Sequence, residues 1–115
     1  MRKLHVSRRE DVLMLYFDWD PAKDEENKRK HKISFAAASV ALEDPFAIEE
    51  LDWIVDGELR FTTTGMAAGE VIVLVSHTNI VLNEDGDELA RIISARKASA
   101  GERRTYEEQR AQSGG

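Results

Sequence analysis

The stretch EVIVLVSHT, residues 70–78, is a near-continuous apolar run of the kind that fills a central strand covered on both faces. Such a strand needs neighbours, and other segments offer them. LRFTTTG (59–65) alternates, setting Leu59, Phe61 and Thr63 on one side and Arg60, Thr62 and Thr64 on the other. FAIEE (46–50), LARIISA (89–95) and an opening run, VLMLYF from Val12, complete the set. The joins are short: GMAAG (65–69) reads as a turn before the central run, and NEDGD (83–87), with its Asp-Gly pair, as a hairpin before the last strand. Tight turns join antiparallel neighbours, so a mainly antiparallel sheet with helices on one face is expected.

Helix punctuation completes the outline. Asp20 before Pro21 opens a helix to about Lys32, and Ser34 caps a second, SFAAASVALEDP, in which Phe35, Ala38 and Leu42 recur on one face before Asp44-Pro45 ends it. Ser99 and Glu102 have the S-x-x-E spacing of a capping box, opening a third helix to about Arg110. The expected fold class is α+β: a small, mainly antiparallel sheet with two N-terminal helices and one C-terminal helix. Residues 12–110 form the domain, 1–11 a flexible extension and 111–115 a disordered tail.

A chain of 115 residues can bury one core unaided, and it contains no cysteine, which removes disulfides and thiolate zinc sites and suits a reducing cytoplasm. No run approaches the roughly 18 apolar residues of a membrane span, and the N-terminus lacks a signal-peptide pattern. A cytoplasmic location without a membrane partner is the expectation. The net charge of -6 is unevenly spread. Residues 34–88 hold one basic residue against twelve acidic ones, while both ends are mildly basic, which leaves room for a local cationic cleft built from the ends.

Several chemistries fall away. GMAAGE lacks the Gly-Lys-Ser/Thr of a phosphate loop, and aligning Gly86 to an EF-hand puts Val81 and Ile92 where carboxylates are required. His5, His31 and His77 lack ligand spacing, so neither metal nor cofactor is expected. What remains is a set of arginines in strands. A guanidinium is never neutral at working pH, so Arg60, Arg91 and Arg96 demand carboxylate partners or an anionic ligand. Period two separates Arg91 from Arg96 unless the strand ends or bulges near Ser94. Arg60 sits where a neighbouring strand would bring His77 beside it. On the first helix Lys23, Asn27, Lys30 and His31 fall on one face, which either is solvated or meets phosphate or a partner.

FDWDPAKDEENKRKHKISFAAASVALEDP together with RIISARKASAGERRTYEE closely resembles the BrnT family of bacterial type II toxins, over about Tyr16 to Glu107. The family pattern W-D-x-x-K-x-x-x-N-x-x-K-H is met by Trp19, Asp20, Lys23, Asn27, Lys30 and His31, R-I-I-S-A-R by Arg91 to Arg96, and E-R-R-x-Y by Glu102, Arg103, Arg104 and Tyr106. Arg60 stands at the family's basic position in the second long strand. Lys32 departs from the family's glycine after the histidine, and the leading residues are longer. The resemblance implies a RelE-like fold, ribonuclease activity that halts translation, a BrnA-like antitoxin, and operator DNA binding only through the antitoxin complex. Metal-independent cleavage needs proton transfer and cations for the developing charge, roles suited to histidine and to Arg60, Arg91 and Arg96. His77 and His31 are both candidates for proton transfer, His77 being preferred for its strand position, with Lys23, Asn27, Lys30 and His31 as RNA contacts. The alternative from another class is a non-catalytic module whose basic face docks an acidic partner or nucleic acid.

Overall fold

The computed structural model describes residues 2–4, 15–82, 84 and 86–113. Strands β1 (Arg2–Leu4) and β2 (Leu15–Asp18) are followed by helices α1 (Pro21–His31) and α2 (Phe35–Ser39), which runs into a 3-10 turn, Val40–Glu43. Then come β3 (Ile48–Val55), β4 (Glu58–Ala67), β5 (Val71–Thr78), β6 (Val81–Leu82), β7 (Glu88–Lys97) and α3 (Ala100–Ser113). The sheet order is β1-β2-β7-β5-β4-β3, with β6 also paired to β7. The apolar run is central as expected, flanked by β4 and β7. All pairings are antiparallel except β2 with β7, whose parallel register sets Asp18 opposite Arg91.

The expected helix signals are in place. Asp20 accepts from the Ala22 N–H at 2.9 Å with Pro21 in the first turn, and Ser34 accepts from the Ala37 N–H at 3.0 Å. Lys32 closes α1 in the left-handed region (φ 61), a conformation glycine holds without strain. Glu102 accepts from the Ser99 N–H and Ser99 from the Glu102 N–H, completing the capping box. Phe17, Phe35, Ala38, Ala41, Val73, Val75 and Ile92 form the heart of the core, so α2 and its 3-10 extension pack on one face of the sheet.

Some expectations change. GMAAG is not a turn: β4 continues to Ala67, and the reversal comes at 68–70, where Gly69 and Glu70 take positive φ. Gly65 lies inside the strand because a Cβ there would meet the Ala41 carbonyl oxygen at 2.6 Å. A tighter hairpin precedes it, with Asp56 (φ 49) and Gly57 (φ 80) turning β3 into β4. Helix α3 continues through 111–113, into the expected disordered tail, since Ala111 and Gln112 are good helix formers. The flexible extension expected over 1–11 falls largely outside the described residues, though Arg2–Leu4 pair with β2, and residues 114–115 lie outside them too. Among the described residues no helix is long and apolar enough to cross a membrane.

Candidate active site

Strand parity decides which side chains share a face. On β5, Val73, Val75 and His77 are fully buried on the core side, so Leu74, Ser76 and Thr78 point the other way. On β7, strict alternation would send Arg91 and Arg96 to opposite faces. The ladder slips instead: Ser76 pairs with Ser94 but His77 with Ile92, which leaves Ile93 as the extra residue of a β-bulge. The buried positions on β7 are accordingly Glu88, Ala90, Ile92 and Ala95. Arg91 and Arg96 therefore lie on the same face, opposite the core, and Arg60 joins them because its partner is Thr78.

Four adjacent strands contribute to one row. Arg60 pairs with Thr78, the Arg91 N–H donates to Thr78 Oγ1 at 2.9 Å, and Arg91 pairs with Asp18. With strands about 4.8 Å apart, Arg60 and Arg91 are rooted roughly 10 Å from each other, so their long side chains can close on one anion from two sides. Arg91, Asp18, Glu58, Thr78 and Asn79 line a hollow of about 320 Å³ at this place.

The cations differ in how firmly they are held. Arg60 donates from Nε to Glu58 Oε1 at 3.0 Å, and its Nη2 lies 2.9 Å from the same oxygen. The Arg91 contact to Asp18 is long, 3.4 Å, on a side chain 64% exposed. An exposed pair of that kind is worth at most about 1 kcal/mol, so Arg91 can exchange Asp18 for phosphate readily. Arg96 is another matter. Its two terminal nitrogens meet both Glu102 oxygens at 2.9 Å, one of them also reaches the Lys97 carbonyl, and the hydrogen bonds from Arg96 hold the Glu102 carboxyl at about 2. Arg96 thus clamps the β7–α3 corner and does not line the hollow, contrary to its expected place among the charge-stabilising groups.

His77 is also displaced from its expected role. The register is one residue off the one anticipated: Arg60 faces Thr78, and His77 faces Phe61. His77 is 0% exposed and stacks on Phe61, on the face away from the arginines. Its Nδ1 donates to the Thr78 carbonyl at 2.7 Å, which leaves Nε2 to accept from the Thr63 hydroxyl, also at 2.7 Å. Burial pushes its pKa below the usual histidine value, with the Thr78 carbonyl opposing. The folded state therefore binds a proton less readily than the unfolded chain. Stability is fully present above about pH 6.5 and is lost as pH falls toward the depressed folded value. The urea midpoint is expected to drop between about pH 7.5 and about pH 5.5, and His77→Gln to flatten that slope.

The helix face is brought together as expected. Lys23, Asn27, Lys30 and His31 line a second hollow, about 220 Å³, with Ile93 and Ser94 of the bulge. Lys30 is paired with Glu26 at 2.7 Å. Asn27, however, is not available to RNA: its amide donates to the carbonyls of Ile33 (2.9 Å) and Ala95 (2.8 Å) and accepts from the Ala95 N–H (3.1 Å) at a position only 6% exposed. It fastens α1 to the edge of β7. Asp18, Glu58 and Thr78 were missed by sequence reasoning. The Asp56-Gly57 turn gave a signal for Glu58, since it places that residue at the start of β4, and nothing local marks the other two.

A model of the family described as "Ribonuclease toxin, BrnT, of type II toxin-antitoxin system" matches residues 19–102. A search of curated proteins finds no match. Among solved structures, the crystal structure of the Brucella abortus ribonuclease toxin, BrnT, is similar at 24% identity and a TM-score of 0.49, covering 72% of this chain and 95% of that one. The family match spans both the arginine strand and the basic helix, and the chain belongs to the BrnT family of ribonuclease toxins of type II toxin-antitoxin systems.

Proposed function

We propose that this toxin cuts RNA endonucleolytically on the arginine face, without a metal ion, and thereby inhibits translation. The observation that carries the reading is the cross-strand row in which Arg60 and Arg91 flank Thr78 above a hollow lined by two carboxylates. Attack by a ribose 2′-hydroxyl builds negative charge on the phosphorus-bound oxygens, and two planar guanidinium forks answer that charge without a metal. Of the two carboxylates in the same hollow, Asp18 and Glu58, one takes the 2′-hydroxyl proton as the oxygen attacks phosphorus, and the carboxyl so formed returns it to the 5′-oxygen as the P–O5′ bond breaks. Lys23, Lys30 and His31 continue the cationic track along α1 past the bulge, where flanking phosphates are held.

The partner is a BrnA-like antitoxin that neutralises the toxin in the cytoplasm, and operator DNA is bound only by the complex. The test is cleavage of RNA by the purified toxin in excess EDTA. New ends carrying 2′,3′-cyclic phosphate and 5′-hydroxyl are expected. Activity that disappears in EDTA and returns with added magnesium would contradict the mechanism, and a gel shift without new ends would mark a non-catalytic binder.

A further inference from the structure

Strand β3 is the sheet edge opposite β1, and Trp53 on it is 67% exposed. Which face it joins is set by an irregularity. Leu51 pairs with Phe61, but Trp53 pairs with Arg60, so Asp52 is an extra residue. A regular ladder would have set Trp53 against Leu59 and turned it to the core side. The bulge turns it to the arginine side, as the direct cross-strand neighbour of Arg60.

We propose that Trp53 is a stacking platform for a base of the RNA substrate, extending the row to Trp53, Arg60, Thr78, Arg91 and Asp18. The inference rests on the arginine face being the cleavage site. Directly opposed residues have their side chains about 5 Å apart at the root, so a base lying on the indole leaves its phosphate over Arg60, with Arg91 two strands further along the row. Single-stranded RNA is held in just this way, by a flat aromatic for the base and cations for the backbone. The surrounding charges favour a base on β3 over a phosphate. By register Glu50 and Glu58 share the face of Trp53, and Asp52 is its chain neighbour, so negative charge on this edge repels the backbone and leaves Arg60 and Arg91 as its place to rest. The same acidity disfavours β3 pairing with a second copy of itself. The other tryptophan, Trp19, is half-buried and packs edge-on against Phe35 at 6.1 Å, so it offers no free face of this kind.

The probe is a fully 2′-O-methylated oligoribonucleotide, about ten nucleotides long to span a typical single-strand site, which lacks the attacking hydroxyl. Binding to the full-length toxin is expected to quench tryptophan emission, and Trp53→Phe to bind with most of the quench gone. Trp53→Ala, a surface change, is expected to weaken binding by about 5- to 150-fold while leaving the affinity for the cognate antitoxin unchanged. Unchanged RNA affinity in Trp53→Ala would overturn the proposal, and a fall in antitoxin affinity alone would assign this edge to the protein partner instead. Arg91→Ala serves as the reference. If it weakens binding while Trp53→Ala does not, the stacking inference fails alone. If neither does, the arginine face fails with it.

Discussion

Replacing Asn27 with alanine is expected to cost about 3 kcal/mol of stability, a fall in melting temperature on the order of 15 °C for a domain of this size. The reason lies in how β7 is covered. β2 ends at Asp18, opposite Arg91, so beyond that point no strand among the described residues flanks this edge of β7. The Asn27 amide takes the place of a peptide group there, donating to and accepting from Ala95, a residue 68 positions away. Its second N–H holds the Ile33 carbonyl, fixing the link from α1 to α2. Alanine leaves one N–H and two carbonyls without partners at a site that is nearly closed, each worth about 1–3 kcal/mol if dry, and water entering from the edge reduces the sum. Asn27→Asp is expected to be no better, because it sets a carboxylate oxygen against two carbonyls. Thermal unfolding followed by circular dichroism checks this. A melting temperature within about 2 °C of wild type, with RNA binding lost, would restore Asn27 to the role of an RNA contact.

Much of the fold was legible because its signals are local. The caps at Asp20, Ser34 and Ser99, the alternation of LRFTTTG and the apolar run of β5 each declare themselves within a few residues, and each is found in place. The candidate site was half legible. Charge chemistry singled out Arg60, Arg91 and Arg96, and the structure sets all three on one face; for Arg91 and Arg96 this depended on a bulge near Ser94, which leaves no mark in a single sequence. The second bulge, at Asp52, was not anticipated, and it is what delivers Trp53 to Arg60. Register explains the error over His77: one residue of slip exchanges the faces of a strand, turning a candidate for proton transfer beside Arg60 into a core histidine beside Phe61. Arg96 and Asn27 were misjudged for a related reason. Both carry polar groups suited to phosphate, and both have those groups consumed, by Glu102 and by the Ala95 backbone.

The three arginines differ in what each already holds. Arg91 lines the hollow on a long contact to Asp18 that a phosphodiester can replace, Arg60 is held on the same face by Glu58, which lines the hollow, and Arg96 is bound to both oxygens of Glu102. Removing a group that meets charge only in the transition state lowers the rate of the chemical step by about 10²- to 10³-fold. Arg60→Ala and Arg91→Ala are each expected to do so at saturating enzyme, with unfolding temperatures close to wild type, since both side chains are tied only to carboxylates near the surface. Lysine at either position is expected to restore little, because it supplies a point charge and not a fork. Arg96→Ala is expected to change thermal stability more than the cleavage step, through loss of the corner that starts α3.

The most direct measurement is single-turnover cleavage of one RNA, in EDTA, by wild type, Arg60→Ala, Arg91→Ala and Arg96→Ala at a temperature where all four are folded. Slow cleavage by the first two substitutions and near-normal cleavage by the third is the predicted outcome. Wild-type rates from Arg60→Ala and Arg91→Ala would contradict it, and the row of residues across β4, β5, β7 and β2 would not be where this toxin cuts RNA.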